Sequence, residues 1–479
     1  MGQPVQGSVY RLFQGVSRQP DSLRLEGQVE EAVNVWMSVV SGGFEPRPGS
    51  ELFCAIEGMA STSVFLHTYR RDGDEEYLLW INDGVLRIFN SSGTQVYQRS
   101  DPYFDCPDPA TQLKAVTAGD VTFICNRTIS TSYSELLKPE GPDTASITCV
   151  KGDETYGKWS VTVTIGSSVY RGSASGTADT RSVITALRDT LSIPDEVAEV
   201  TAVGSTLVIR NKTNNQMKIT TSDFWGDEAL ITAYKRVDTT NDLPPSSVHG
   251  TVVAVSDGVE DFVWMEFVAD DGYTGTDPTS GYWKESVKPG SKFQLDATTM
   301  PHTITNLAKD QFDSFLITWQ ERQCGEEGDI FEPEFVGLPI QDITFHRDRL
   351  ILVSGESVDC SKQGDYYSFF PERSSEVLDT DPFSRTASSR RVNYLYNAVP
   401  FRSQLFLMSD NGQFELRGDP ALTPKTATLE LATQYKAETL CDPVVMGSEL
   451  YFASTIDQNV TALFEYYFQE ASVSHVATN

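Results

Sequence analysis

Histidine is scarce in this 479-residue chain, and no apolar run approaches the ~18 residues of a membrane-crossing helix. No membrane anchor is expected. Met1 to Pro20 holds no apolar run of signal-peptide length; Arg11 and Arg18 sit there among Gly, Ser and Gln. Gln6 stands where a myristoylation signal after Gly2 requires Ser or Thr. The seven cysteines (Cys54, Cys106, Cys125, Cys149, Cys324, Cys360, Cys441) are odd in number and scattered, with no C-x-x-C pair. That pattern argues against a zinc site or a disulfide framework and for reduced thiols. Four N-x-S/T sequons (Asn90, Asn126, Asn211, Asn459) carry no meaning without a secretory route.

The machinery of catalysis is equally thin. The five histidines (His67, His249, His302, His346, His475) include no H-x-x-x-H and none beside a cysteine. Zinc chemistry and a Ser/Cys–His site are therefore unsupported. His346 lies inside a strand repeat and reads as packed. There is no G-x-x-x-x-G-K-[ST] and no dinucleotide fingerprint. The loop Asp270–Asp277 lacks the ligand spacing of a calcium loop and reads as a solvated turn. Neither a cofactor nor a metal is expected.

Basic residues are also in deficit. There are 37 Lys and Arg against 67 Asp and Glu, a net charge of −30 and a pI near 4.5. Binders of nucleic acid or anionic membranes neutralise phosphates with clustered Lys and Arg, so those classes are disfavoured. The acidity has two readings. One is solubility. The other is a conduit whose wall repels phosphate, over a range of about 8 Å at physiological salt, so that a duplex slides without sticking.

What is present is a globular composition, 39% hydrophobic and 11% aromatic. The pattern is β: short strands rich in Val, Ile, Phe, Tyr and Thr, separated by Gly, Asn, Asp and Ser. One hairpin is Glu76–Ile81, the turn Asn82-Asp83-Gly84, then Val85–Phe89. Its grammar recurs at Ile343–Gly355, Val399–Gly412 and Val444–Ser454, with marker serines Ser354, Ser409 and Ser454. Spacing of roughly 40–50 residues with several strands per unit suits propeller blades. A β-sandwich competes; the recurring hairpin favours the propeller. Asp179 to Ser192 reads as a helix, with Val183, Ile184, Leu187 and Leu191 on one face, Asp179 as N-cap and Pro194 beyond its end. The expected fold is mainly β, with propeller-like blades, an inserted small α+β domain and a further β segment. Residues 1–145 form an N-terminal platform and first hairpins, 146–240 the insertion, 241–338 a second β-rich segment and 339–479 the blades. Asn241–Ser247 reads as a linker. Leu463–Phe468 reads as a strand with no return, so the last blade is expected to be incomplete. Ser409-Asp410-Asn411-Gly412 weakly resembles the structural Asp-box turn of sialidase-type propellers.

A resemblance adds to this reading. Gly15-Val16-Ser17-Arg18-Gln19-Pro20-Asp21-Ser22-Leu23-Arg24, Gln28, Asn34-Val35-Trp36 and Gly43-Phe44-Glu45-Pro46-Arg47-Pro48-Gly49 open the pattern. Met300-Pro301-His302, Gln323-Cys324-Gly325, Arg347-Asp348-Arg349-Leu350 and Ser354-Gly355-Glu356 continue it. Tyr367–Pro371, Asp379-Thr380-Asp381-Pro382, then Ala398–Phe401 with Ser409-Asp410, complete it. In this order they resemble tail tubular protein B, the nozzle protein of short-tailed bacteriophages (podoviruses). Members of that family carry a C-terminal portion that is missing here.

The resemblance implies a structural virion protein: a hexameric ring in the phage tail, assembled in the host bacterial cytoplasm. Its partners would be other copies of itself, a tail adaptor ring similar to tail tubular protein A, and tail fibres. Genomic double-stranded DNA would pass through an acidic channel without specific binding. Candidate structural or assembly residues are Gly15, Ser17, Arg18, Gln19, Pro20, Asn34, Trp36, Arg47, Pro48, Arg349, Ser354, Asp381 and Pro382. No catalytic, cofactor or metal residue is assigned. Arg18, Arg24 and Arg47 suit either simple solvation or pairing with a neighbouring subunit's acids, and Trp36 a core or interface anchor. The alternatives are a tail-associated propeller glycan hydrolase (depolymerase) or a carbohydrate-binding adhesin.

Overall fold

A computed structural model describes residues 14–38, 43–55, 63–256, 262–326, 328, 331–388, 391–457, 460–469 and 474–478. Gly2, Arg11 and Asn459 lie outside them, as does the His475 side chain. The described residues fall into two compact units: those up to residue 58 with Ser92–Thr94, and the remainder.

The first unit is small. Val35–Ser38 pairs with Gly43–Pro46 as a two-stranded antiparallel ribbon. Gly15, at a φ of 93°, precedes a parallel bridge between Val16 and Val29.

The second unit is mainly β. Six of its sheets have four antiparallel strands each, one of them inside the insertion and five outside it. The first comprises Phe65–Arg70, Glu76–Asn82, Val85–Asn90 and Gln95–Ser100 in sequence order. Asp83 and Gly84 both take positive φ (49° and 69°), as a two-residue hairpin turn demands. The third holds Ile340–His346, Arg349–Ser354, Ser357–Cys360 and Phe383–Thr386. The fourth holds Leu395–Phe401, Gln404–Ser409, Gln413–Arg417 and Thr428–Thr433. The fifth holds Val444–Met446, Glu449–Asp457, Val460–Gln469 and Ser474–Thr478. The three repeated hairpins read from the sequence are the opening strand pairs of these last three sheets.

The second sheet breaks sequence order. Leu113–Ala118 and Val121–Asn126 pair onward with His302–Ala308 and Gln311–Phe315, so everything between residues 127 and 301 is inserted within one sheet.

Why the strands are apolar throughout follows from their two covered faces. Leu350 and Leu352 enter a core shared with Phe123 and Cys125 of the second sheet. Ile351 and Val353, on the opposite face, enter a core shared with Leu405 and Leu407 of the fourth. Phe406 and Met408 then face Leu450, Phe452 and Tyr466 of the fifth. Ile124 and Ile304 face Leu79, Ile81 and Leu86 of the first. A strand covered on both sides needs a continuous apolar run rather than alternation. Each such side chain contributes about 1.5–3 kcal/mol of burial.

Within the insertion, a three-stranded sheet (Ser168–Thr177, Asp153–Ile165, Met217–Asp223) and a four-stranded sheet (Ala198–Val203, Thr206–Asn211, Thr144–Cys149, Leu230–Ala233) share a core with one helix. The helix spans Thr180–Thr190, and Asp179 caps it by accepting from the Ser182 N–H at 3.1 Å. Val183, Ile184 and Leu187 meet Trp159, Val161 and Val163.

Two expectations are corrected. The strand read as lacking a return has one: Ser474–Thr478 pairs with it from Gln469 to Glu465. The stretch Asn241–Ser247 is not a bare linker. Ser246–Ser247 is the edge strand of a five-stranded sheet with Arg236–Val237, Val252–Ser256, Phe262–Ala269 and Thr279–Glu285. The Trp283 indole N–H fixes Pro244 by donating to its carbonyl at 2.7 Å.

Candidate functional site

In the first unit, the candidate residues build turns and present side chains outward. The Ser17 N–H donates to the Val29 carbonyl at 2.8 Å, and the Ser17 hydroxyl accepts from the Gln19 N–H at 3.3 Å. The Pro20 carbonyl accepts from the N–H groups of Leu23 and Arg24, closing a turn. Arg24 then reaches back to the Gln19 carbonyl at 3.0 Å and to Asp21 at 3.1 Å. Asn34 has a positive φ of 56°, and its carbonyl accepts from Arg47 N–H at 2.9 Å. Arg18, Arg47 and Pro48 are exposed. Trp36 is 63% exposed on the ribbon, so within this chain it is not a core residue.

Arg349, Asp381 and Pro382 come together in the third sheet, all buried. Arg349 is fully buried yet forms no ion pair among the described residues. Its Nη1 donates to the carbonyls of Ser361 at 2.7 Å and Asp381 at 2.8 Å. Its Nη2 donates to the Asp379 carbonyl at 2.9 Å. The guanidinium lies 5.2 Å from the Phe383 ring centre. It is therefore a spool on which the loop from Ser361 to Asp381 is wound. Asp381 tightens the loop by accepting from Leu378 N–H at 2.7 Å. Burial lowers the Arg349 pKa, and Asp381 and Asp348 oppose that. Ser354 is buried at the far end of the same strand, paired with Ser357.

A second polar cluster joins sheets. Arg127, just past the second sheet's strand, donates to Gln341 O in the third sheet and to Tyr396 O in the fourth, the latter at 3.0 Å. It also donates to Thr111 O at 3.2 Å. Lys114 of the second sheet pairs with Asp442, which also accepts from Asn397 Nδ2 at 2.8 Å. Asp342 accepts from Ala398 N–H at 2.7 Å and from Ile343 N–H at 2.9 Å. Burial pushes the Asp342 carboxyl up to about 6, against the pull of Lys114 and Arg127. None of these partners was legible as a set, because up to 328 residues separate them.

Arg127→Leu should leave three carbonyls without their donor, costing about 2–4 kcal/mol. Hydrogen exchange should accelerate in Ile340–His346 and Leu395–Phe401. Unchanged protection in both strands would show that the clamp does not hold the sheets.

The remaining chemistry is structural. His302 sits 3.0 Å from Asp101 and stacks on Tyr103 at 4.0 Å. Burial lowers its pKa, and Asp101 opposes the shift. His346 is pushed down to about 4 by burial, with Arg347 adding to it. Among the described residues no three His, Cys, Asp or Glu side chains converge as a metal site, and no helix is long and apolar enough to cross a membrane.

Comparison with known proteins places these features in context. The tail tubular protein gp12 of Escherichia phage T7 is 27% identical over 96% of this chain and 59% of its own length. This chain thus spans about three fifths of that relative. Among solved structures, apo AztD from Citrobacter koseri aligns at 8% identity with a TM-score of 0.23, over 84% of this chain and 93% of that one. A chain of the yeast Nup82-Nup159-Nup116 nucleoporin complex aligns at 8% with a TM-score of 0.20, over 85% of this chain and 97% of that one. Likeness that low carries no argument about fold. The family described as bacteriophage nozzle protein matches residues 2–478, in agreement with the resemblance read from the motifs. That family is structural, so the expectation of a non-catalytic protein stands and the hydrolase alternative is not favoured. With the match running through nearly every residue, the chain belongs to the bacteriophage nozzle protein family.

Proposed function

We propose that copies of this chain form a six-fold ring in the nozzle of a short phage tail, with genomic DNA leaving through an acidic channel. The observation that carries this reading is the family match across residues 2–478 in a chain of net charge −30. With 37 cationic side chains against 67 acidic ones, the chain carries a surplus of 30 negative charges. A wall bearing that surplus repels phosphate at close range and leaves a duplex mobile. Rigidity comes from consecutive four-stranded sheets that share cores on both faces, an arrangement that suits propeller blades. A tail adaptor ring and tail fibres are the proposed neighbours, in a particle assembled in the host cytoplasm. A closed six-fold ring joins two different, mutually complementary patches of each subunit, and the exposed Trp36 ribbon is a candidate for one of them.

Electron microscopy of purified tails tests this. A six-fold annulus with a predominantly acidic lumen is the expected result. Single copies in intact virions would overturn the ring, and a lumen lined by Lys and Arg would overturn the electrostatic account.

A further inference from the structure

The three-stranded sheet of the insertion turns one face to its core and leaves the other uncovered. Trp159, Val161 and Val163 of its central strand point into the core. The alternate residues Lys158, Ser160, Thr162 and Thr164 therefore point outward. Register extends this outer face across both neighbouring strands. Ser173 and Ser222 flank Ser160, Arg171 and Thr220 flank Thr162, and Val169 and Lys218 flank Thr164. All six flanking residues are exposed.

An aromatic pair stands at one end of this field. Tyr156 is 65% exposed and Phe224 59%, and their rings stack with centres 6.3 Å apart. The Phe224 N–H donates to the Lys158 carbonyl at 3.1 Å, which fixes the pair beside that cation. Ser and Thr alone would make an ordinary solvated sheet face. Two stacked aromatic rings left in water beside Lys and Arg are the composition of a contact surface.

The charge of the face sets it apart from the rest of the chain. Along the paired stretch its outward positions hold three of the chain's 37 cations, Lys158, Arg171 and Lys218, and none of its 67 acids. None of the three forms an ion pair among the described residues. Copies of a chain with 30 surplus negative charges repel one another. A contact between two of its copies is favoured where one of the two patches carries cations and no acid, so that the other can be acidic. The field measures about 20 Å along the strands and about 10 Å between the outer two. A nucleic-acid duplex laid on it would overrun borders that carry the exposed Glu154, Asp189 and Asp227, where phosphate is repelled.

We propose that this face is one side of the contact between neighbouring copies of the chain, covered by an acidic patch of the next copy. The inference rests on the ring reading and assigns a surface within it.

Sedimentation velocity on the full chain across a concentration series tests it. The wild type is expected to self-associate, and less so as salt rises from about 50 to about 500 mM. Lys158→Glu/Arg171→Glu/Lys218→Glu should raise the dissociation constant about tenfold or more at low salt. Tyr156→Ser/Phe224→Ser should weaken association at both salt levels, because aromatic contact is not screened. All five side chains are exposed, and circular dichroism matching the wild type verifies that both variants fold. Lys309→Glu/Arg373→Glu/Lys436→Glu makes the same change of charge at exposed positions elsewhere and should shift the constant by no more than about twofold. A wild type that stays monomeric at every concentration overturns the proposal. So does association that neither face variant weakens, or that the control triple weakens equally. A short DNA duplex held by the wild type and released by the face triple would overturn it too, and assign the face to nucleic acid. Any of these results beside a six-fold annulus in purified tails discards this face and keeps the ring; tails without an annulus discard the ring itself.

Discussion

Arg349→Met is expected to lower stability by about 3–5 kcal/mol, with loss of hydrogen-exchange protection concentrated between residues 361 and 381. Two effects oppose each other here. Removing a buried guanidinium relieves its desolvation cost. Against that, the carbonyls of Ser361, Asp379 and Asp381 lose their donors inside a water-free interior. Three orphaned acceptors at about 1–3 kcal/mol each outweigh the relief, because no carboxylate is released that could pair elsewhere. Arg349→Lys keeps the charge but loses the planar fork, so it should recover only part of the loss. Thermal melts and exchange mass spectrometry would read both variants. A methionine variant with wild-type melting and an unaltered 361–381 loop would rule out the spool.

Asp359→Asn should stabilise the protein at pH 8 and do so by a clearly smaller margin at pH 5. Asp359 is fully buried, and that burial pushes its carboxyl up to about 7 despite hydrogen bonds from Ser384 and from the Glu334 N–H. The unfolded carboxyl titrates near 3.8. Between about pH 4 and 7 the folded state thus holds a proton that the unfolded state has released, and stability falls as pH rises. Above pH 7 the full penalty is present. Asparagine retains an acceptor for Ser384 and Glu334 and carries no charge, which removes a penalty on the order of 2–4 kcal/mol. Asp342, raised to about 6 in the same direction, leaves a smaller pH slope in the variant. Denaturant titrations at the two pH values would decide it. An Asn variant whose difference from wild type is equal at pH 5 and pH 8 would refute the assignment.

Local chemistry was readable where it acts over a few residues. Asp83-Gly84 marked a tight turn because few other residues accept positive φ, and both residues adopt it. Asp179 and the spacing of Val183, Ile184 and Leu187 marked the helix and its buried face. The repeated hairpins marked strand pairs that open three successive sheets. The second sheet was hidden, since its halves lie at residues 113–126 and 302–315 and neither half signals its partner. Ser474–Thr478 was hidden for a related reason: a short mixed segment becomes a strand only when a long neighbour supplies its hydrogen bonds. Arg349 reads in sequence as one charged residue in a strand. Its burial depends on a loop that returns some 30 residues later.

The sequence by itself determined the β class, the surplus of negative charge and membership of the nozzle family, because strand patterning, turn residues, composition and ordered motifs are all carried by nearby residues. Only the tertiary structure decided which strands share a sheet and which charges lose their water. Those outcomes depend on contacts between residues hundreds of positions apart, for which one chain carries no local signal.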